Sequence, residues 1–171
     1  YMIFGIGVGG ILASQFHLLS HAIFKALLFL CAGAVIHEID TRDMGEMGGL
    51  NHRMPITGKC YLVGVLALSG VPIFNGFWSK DMLFASALHS GNIVPLILAV
   101  ATAVLTVTYS VRSYLKVFTG ELTPACSKAE ETHPAMLFPL VLLAAGAVTS
   151  WLIIGNYTTA LSQTGIIQEV I

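Results

Sequence analysis

The amino-acid sequence predicts an all-α protein, a polytopic transmembrane helix bundle that contains one discontinuous helix. Of its 171 residues, 56% are hydrophobic and only 10% are charged, whereas a soluble domain carries about 25% charged residues. Asp, Glu, Lys and Arg are absent from residues 60–79, 82–111 and 134–168. Each of these runs is long enough to cross a bilayer, which takes about 20 helical residues.

The N-terminal third contains two hydrophobic elements followed by a polar loop. The first element, Tyr1 to Ala13, is too short to span a membrane, and the sequence shows neither an initiator Met nor a signal peptide. We therefore expect an internal piece of a longer polytopic protein, in which this element is the end of a helix. The second element runs from about Gln15 to Ile36, and the polar loop runs from His37 to Pro55.

The third element, Ile56 to Ser90, contains the unusual stretch SGVPIFNGFWSKD near its middle. Proline removes a backbone donor and glycine weakens a helix. Gly70, Pro72 and Gly76 therefore predict two half-helices joined by a short unwound link. Non-helical backbone is tolerated at membrane depth only where protein or water surrounds it, and broken helices of this kind line ion pathways in many transporters.

Two further helices complete the predicted transmembrane region, which covers residues 1–154. The fourth element runs from about Ile93 to Phe118, and the fifth runs from Pro134 to about Ile154. The remaining tail, residues 155–171, is predicted to be either a loop or an interfacial helix.

The basic residues outside the predicted membrane segments fall on one side. If the broken segment crosses once, loops 37–59 and 119–133 share a side with six basic residues: Arg42, Arg53, Lys59, Arg112, Lys116 and Lys128. The connections near Ser14, Gly91 and Asn156 lie on the opposite side, which has none. Positive charge is retained on the cytoplasmic or matrix side. We therefore expect both loops on that side of an energy-transducing membrane, either a prokaryotic cell membrane or an organellar inner membrane.

A polar stripe interrupts the hydrophobic second element. His17, His21 and Lys25 are spaced four residues apart, so they share one helix face. An ionisable residue at membrane depth costs about 3 kcal/mol on insertion scales, and we expect the stripe to face a protein interior or a wet cavity, with its members within hydrogen-bond reach. Since histidine titrates near neutral pH, the stripe predicts an intramembrane proton relay. The alternative is polar contact that only packs helices together.

Lys80 and Asp81 follow the predicted break. Lys80 is expected near mid-membrane at the start of the second half-helix, where the positive end of the helix dipole and desolvation both disfavour a charged lysine. This position predicts a switchable proton site. Asp81 is a further candidate for the relay, and its alternatives are a helix N-cap or an ion pair with Lys80.

No other pattern in the chain predicts chemistry. The glycines of GIGVGG lack the βαβ context of a nucleotide-binding loop and suit helix packing instead. The three cysteines form no metal-ligand spacing, and a net charge of −1 gives no basis for nucleic-acid binding. We therefore expect no catalytic residue and no metal ion in this chain.

The chain closely resembles the antiporter-like L subunits of respiratory complex I in three motifs: HLLSHAIFKALLFLCAGAVIHE, DTRDMGEMGGLNHRMPIT and GVPIFNGFWSKD. The resemblance covers Tyr1 to about Ile154. The wider family includes the other antiporter-like subunits of complex I, the multisubunit cation/proton antiporters, and related archaeal dehydrogenase and hydrogenase complexes.

The resemblance implies most of the second of two inverted repeats in a proton-translocating subunit. In the family, the lysine that matches Lys80 gates the outward half-channel. The residues that match His17, His21 and Lys25 form part of the central polar axis. Such subunits bind no cofactor, because quinone and the cofactors of the electron donor are bound by partner subunits. The first repeat's lysine–glutamate pair and the C-terminal lateral helix are absent from this sequence, so we do not expect it to pump alone.

Two function classes follow from these observations. The first is a proton-translocating membrane subunit of a quinone-linked respiratory dehydrogenase, in which other membrane subunits are its partners. The enzymatic activity, oxidation of NADH or a related donor by quinone, belongs to the whole complex. The second is a subunit of a multisubunit cation/proton antiporter without a redox partner. The GFWSKD stretch favours the first class. A purely structural scaffold would require Lys25 and Lys80 to be dispensable.

Overall fold

The computed structural model describes residues 1–91 and 93–153. The helices in this part of the chain are α1 (Met2–Gly7), α2 (Ile11–Ile39), α3 (Pro55–Ser69), α4 (Asn75–His89), α5 (Ile93–Phe118) and α6 (Pro134–Thr149). Two 3-10 turns occupy Leu50–His52 and Ser150–Ile153. The predicted all-α helix bundle is confirmed. The tail predicted for residues 155–171 lies outside the described residues.

The long helix α2 is the centre of the bundle and packs against α1, α3, α4 and α6. Its buried side chains recur every three or four residues, as one helix face requires: Ala13, Ser14, Phe16, His17, Ser20, Phe24, Leu27, Cys31, Ala34 and Val35. Its outer face is apolar too, and includes the exposed Leu18 and Phe29. A helix that is hydrophobic all round is typical of a membrane span, and α2, α5 and Pro134–Ile153 are each long and apolar enough to cross a membrane.

Helices α3 and α4 are the two halves of one interrupted helix, so the predicted discontinuous helix is confirmed. Gly70 ends α3 with a φ of 79°, in the left-handed conformation that glycine adopts without steric cost. Pro72 has no backbone N–H to continue a helix, and Ile73 has a positive φ of 91°, outside the right-handed helical region. The chain becomes helical again at Asn75.

Gly76 does not interrupt the helix, contrary to the expectation from its sequence. It lies in the first turn of α4. A Cβ atom at this position would overlap the carbonyl oxygen of Ala67 in α3. The missing side chain therefore allows the two half-helices to approach each other closely. From sequence alone, a glycine needed for close packing looks the same as a glycine that breaks a helix.

The two polar loops meet at one end of the bundle. The Gly49 N–H donates to the Thr119 carbonyl oxygen at 3.0 Å, and Thr123 Oγ1 donates to the Glu46 carbonyl oxygen at 2.8 Å. Beneath the loops lies an apolar cluster of buried side chains: Ala34, Val35, Met47, Leu50, Met54, Val117, Phe118, Cys126 and Ala129. The loops thus lie on the same side of the bundle.

The loop end also determines how the broken segment crosses the bundle. Glu131 of the second loop accepts hydrogen bonds of 2.7 Å from the Ile56 N–H and from Thr57 Oγ1, so α3 begins at this end. Helix α5 ends there after 26 residues, a length of about 39 Å at 1.5 Å per residue. Helices α3 and α4 together must therefore carry the chain to the other end of α5, which is a single crossing.

The boundaries of the first two helices differ from those predicted. The break lies at residues 8–10 and not near Ser14, because Gly9 takes a positive φ of 82° and the helix restarts at Ile11. Ser14 lies inside α2, and its hydroxyl donates to the Met2 carbonyl oxygen at 2.7 Å. At the other end α2 continues past Ile36 to Ile39.

We expect Gly76→Ala to destabilise the full-length subunit by about 1–3 kcal/mol or more, because the new methyl group must displace the Ala67 carbonyl. The matched control is Gly33→Ala, since no described atom other than its chain neighbours and the backbone of its own helix lies within 4 Å of its Cβ position. Alanine also favours a helix over glycine by about 1 kcal/mol. Thermal unfolding of the purified proteins compares the two. Equal stability of both variants would contradict the close approach of α3 and α4.

Candidate functional site

Lys80 lies in the second turn of α4, and its side chain reaches back across the interruption. Its Nζ donates a hydrogen bond of 2.7 Å to the Leu68 carbonyl oxygen, and the residue is 5% exposed. Leu68 belongs to the last turn of α3, where carbonyl groups have no partner within the helix. The partial negative charge of a helix C-terminus favours a cation. The C-terminal end of α3 therefore stabilises the ammonium group. Of the two helix ends, the sequence indicated only the start of α4, whose positive dipole destabilises that group.

Two residues enclose the Lys80 side chain near its end. A Cβ atom at Gly70 would lie 3.3 Å from Lys80 Cδ. The ring of Tyr1 lies over the ammonium group, with its centroid 5.7 Å from Nζ, a distance at which a cation is attracted to an aromatic face. Tyr1 also packs against His17 with ring centroids 5.3 Å apart. Tyr1 therefore contacts both Lys80 and His17, which the sequence did not indicate.

His17 connects α2 to the residue that precedes Lys80. Its Nδ1 lies 3.0 Å from Ser79 Oγ, and both residues are buried, with 2% and 0% exposure. Either group can donate, depending on the histidine tautomer. Because Ser79 and Lys80 are consecutive on α4, this hydrogen bond places an imidazole, a hydroxyl and an ammonium group in one buried polar cluster beside the interruption.

His21 and Lys25 lie at the edge of the buried face and are half-buried. The ring centroids of His17 and His21 are 5.9 Å apart, and within the described structure no hydrogen bond joins members of the stripe; His17 bonds to Ser79 instead. The helix geometry explains this, because a spacing of four residues advances about 400° and drifts about 40° at each step. The stripe therefore winds away from the interior.

Asp81 is exposed on the outer side of α4. It is not an N-cap, because Phe74 occupies that position and Asp81 lies beyond the first turn. Within the described residues it forms no ion pair with Lys80, whose Nζ points to Leu68. Its predicted part in a relay stays a prediction.

The polar interior extends further than the charged residues of the sequence indicated. Asn75, the first residue of α4, is fully buried, and its Nδ2 donates to Ser150 Oγ at 2.9 Å. Ser69 Oγ lies 3.3 Å from Ser110 Oγ of α5. Neutral polar side chains are common in membrane helices and signal little individually. Their concentration around the break, from Ser69 to Ser79, is the pattern that could have indicated them.

The chemistry available at this site is proton exchange. Hydroxyl and imidazole groups both donate and accept hydrogen bonds, and an ammonium group can give up a proton. Within residues 1–91 and 93–153, no three His, Cys, Asp or Glu side chains are grouped so that they could hold a metal ion.

Comparison with known proteins identifies relatives of this chain. Residues 1–106 match the protein family described as NADH:quinone oxidoreductase/Mrp antiporter, TM. NADH-quinone oxidoreductase subunit L of Rickettsia conorii is 40% identical over 166 residues, which cover 95% of this chain and 25% of that protein. The F(420)H(2) dehydrogenase subunit L of Methanosarcina mazei is 40% identical over 161 residues, covering 84% and 24%. The chain thus spans about a quarter of the length of these relatives.

Solved structures agree with the fold. A chain of respiratory complex I from Thermus thermophilus superposes with a TM-score of 0.70 at 30% sequence identity. The superposition covers 91% of this chain and 36% of that one.

We expect Ser79→Ala to destabilise the full-length protein by about 1–3 kcal/mol, because it leaves His17 Nδ1 buried without its partner. Ser86→Ala is the matched control on the same helix, since among the described residues the Ser86 hydroxyl bonds only to the Met82 carbonyl of its own helix. Thermal unfolding in detergent compares them. A Ser79→Ala protein as stable as the control would show that the contact between α2 and α4 carries little energy.

Proposed function

Because the chain belongs to the NADH:quinone oxidoreductase/Mrp antiporter transmembrane family, we propose that it forms part of a proton-translocating membrane subunit of a quinone-linked respiratory dehydrogenase complex. The observation that carries the proposal is the buried Lys80 ammonium group on the free carbonyl of the helix break. The relay residues in this proposal are His17, His21, Lys25 and Lys80, with Asp81 as a further candidate. Quinone and the donor cofactors belong to partner subunits.

The surroundings of Lys80 support a group that alternates between charged and neutral. Burial at 5% exposure disfavours the ammonium form, whereas the Leu68 carbonyl and the Tyr1 ring favour it. These opposing influences act on the same protonation equilibrium of Lys80. We expect a proton arriving at Lys80 to strengthen its hydrogen bond to the Leu68 carbonyl and a proton leaving it to weaken that bond, because a neutral amine is a poorer donor than an ammonium group.

The hydrogen bond between His17 and Ser79 supplies a neighbouring step. The Ser79 hydroxyl precedes Lys80 in the sequence and bonds to His17 Nδ1, so a proton transferred at Lys80 has a hydroxyl and an imidazole beside it. Beyond His17, the rise between His21 and Lys25 is about 6 Å. A bridging water molecule can link polar groups at separations of that order.

The alternative is a subunit of a multisubunit cation/proton antiporter, since the matching family includes both classes. The names of the two relatives described above, a quinone oxidoreductase subunit and a dehydrogenase subunit, support the redox-linked class instead. The genes beside the full-length reading frame distinguish the classes: quinone-site and iron–sulfur subunits accompany the first, and only small membrane subunits accompany the second.

In the full-length subunit, Lys80→Arg should lower the proton transport rate about tenfold or more, almost as much as Lys80→Ala, which corresponds to a barrier about 1.4 kcal/mol higher. Arginine keeps the positive charge but stays protonated in proteins. Quinone-coupled proton uptake into vesicles measures the effect, and the assembly of each variant is checked in parallel.

Lys59→Arg is the matched control, because Lys59 is exposed on α3. Near-normal transport by an assembled Lys80→Arg complex would contradict the proposal that Lys80 alternates between charged and neutral. Loss of assembly in Lys80→Ala with full function in Lys80→Arg would instead assign Lys80 a purely structural role.

The cytoplasmic or matrix position of the two polar loops is a further part of the proposal, based on the six basic residues at that end. Single cysteines at the exposed Met44 and Ala125 should react with an impermeant thiol reagent only from that side, and a cysteine at His89 only from the other. The native cysteines are buried. Labelling of Met44→Cys from the outside of intact cells would show the opposite orientation and contradict the proposal.

A further inference from the structure

Two buried oxygen atoms lack a hydrogen-bond partner within the described residues: Ser20 Oγ and Asn75 Oδ1. Ser20 is 1% exposed and Asn75 is 0% exposed. A buried polar atom without a partner costs about 1–3 kcal/mol, and most such atoms in proteins bond to protein or to ordered water. Both atoms therefore call for a partner.

The packing of α2 against α4 brings these two residues to the same level. The helices run in opposite directions: a Cβ atom at Gly10 would lie 2.6 Å from Ser86 Oγ, and seven residues further along α2, His17 contacts Ser79, which lies seven residues earlier in α4. One more helical turn in this register places Ser20 opposite Asn75. Both residues belong to the buried faces of their helices.

One of the two polar atoms of the Asn75 amide already forms a hydrogen bond. Its Nδ2 donates to Ser150 Oγ, which leaves Oδ1 as the unpaired half. Exchanging the amide oxygen and nitrogen would not remove the problem, because the Ser150 hydroxyl would then donate to Oδ1 and leave Nδ2 unpaired. The unpaired half of the amide needs a donor in the first orientation and an acceptor in the second, so a group that both donates and accepts suits either orientation.

We propose that Ser20 and Asn75 together hold one buried water molecule beside the helix break, linked through the Asn75 amide to Ser150. Water fits because it donates and accepts, and buried waters typically make about three hydrogen bonds to otherwise unpaired groups. The surrounding charges exclude a metal cation: the nearby ionisable groups are His17 and Lys80. The carboxylates of the described residues lie at the loop end or, for Asp81, on the outer surface.

This site extends the proposed function, on which its transport role rests. His17 and Ser20 lie one turn apart on α2, and Asn75 and Ser79 lie one turn apart on α4. The water molecule thus continues the polar cluster of His17, Ser79 and Lys80 toward Ser150 at the end of α6. Ser20 and Asn75 are positioning residues for this branch, since they hold the water and transfer no proton to a substrate.

Electron cryo-microscopy of the intact complex with the full-length subunit tests the water site directly. We expect a density peak about 2.7–3.2 Å from both Ser20 Oγ and the Asn75 amide. The peak should disappear in Asn75→Leu, which has a similar volume but no polar atom. A direct hydrogen bond between the two side chains, or no peak at a resolution that shows other buried waters, overturns the site.

Proton transport tests the role of the water molecule. We expect Ser20→Ala and Asn75→Leu to transport about two- to tenfold more slowly, as loss of one hydrogen bond allows, and Ser20→Thr to restore the rate because it keeps the hydroxyl. Thr149→Val is the matched control: this exposed hydroxyl, next to Ser150, bonds only to the Ala145 carbonyl within the part of the chain that the structure describes. Normal transport by Ser20→Ala overturns the branch.

The two proposals fail in distinguishable ways. If Lys80→Arg transports normally, the proposed switch fails, whether or not the density peak is present. If Lys80→Arg stalls while Ser20→Ala and Asn75→Leu transport normally, the proposed function stands and the water branch fails.

Discussion

A helix interrupted within an apolar bundle leaves backbone carbonyl groups without partners, and this constraint organises the rest of the structure. Where water does not satisfy such groups, protein must. Lys80 satisfies the Leu68 carbonyl from the neighbouring half-helix, and Gly76 allows the half-helices to approach closely enough for that bond. The position of α4 in turn places Ser79 against His17 on α2. The polar cluster thus forms because Lys80 satisfies the carbonyl group that the break leaves without a partner.

The bundle has two regions that are held together in different ways. At the loop end, backbone hydrogen bonds, the Glu131 carboxylate and a large apolar cluster join the two loops to α2, α3 and α5. Beside the break, α4 is held by the hydrogen bonds of Ser79, Lys80 and Asn75, by the buried Leu83 and Ala87, and by close approach at Gly5 and Gly10. The polar contacts of the second half-helix are therefore concentrated at its start, next to the break.

The sequence predicted the helical elements and the break well, because these depend on local composition. It also placed His17 and Lys80 in the interior. It did not predict that Gly76 would pack and not break a helix, because both roles require the same residue type. It placed the three residues of the polar stripe on one face, but a spacing of four drifts around a helix. Consequently His17 is buried in the described part of the chain, while Lys25 is only half-buried.

The sequence by itself determined the membrane-spanning helices, the interruption near Gly70 and the presence of ionisable groups at that depth, because hydrophobicity and backbone chemistry are properties of neighbouring residues. The tertiary structure decided which partner each polar group has. Lys80 bonds to a residue 12 positions away, His17 to one 62 positions away, and Asn75 to one 75 positions away. Such pairs depend on the register and approach of whole helices, which the packing of all their side chains sets together.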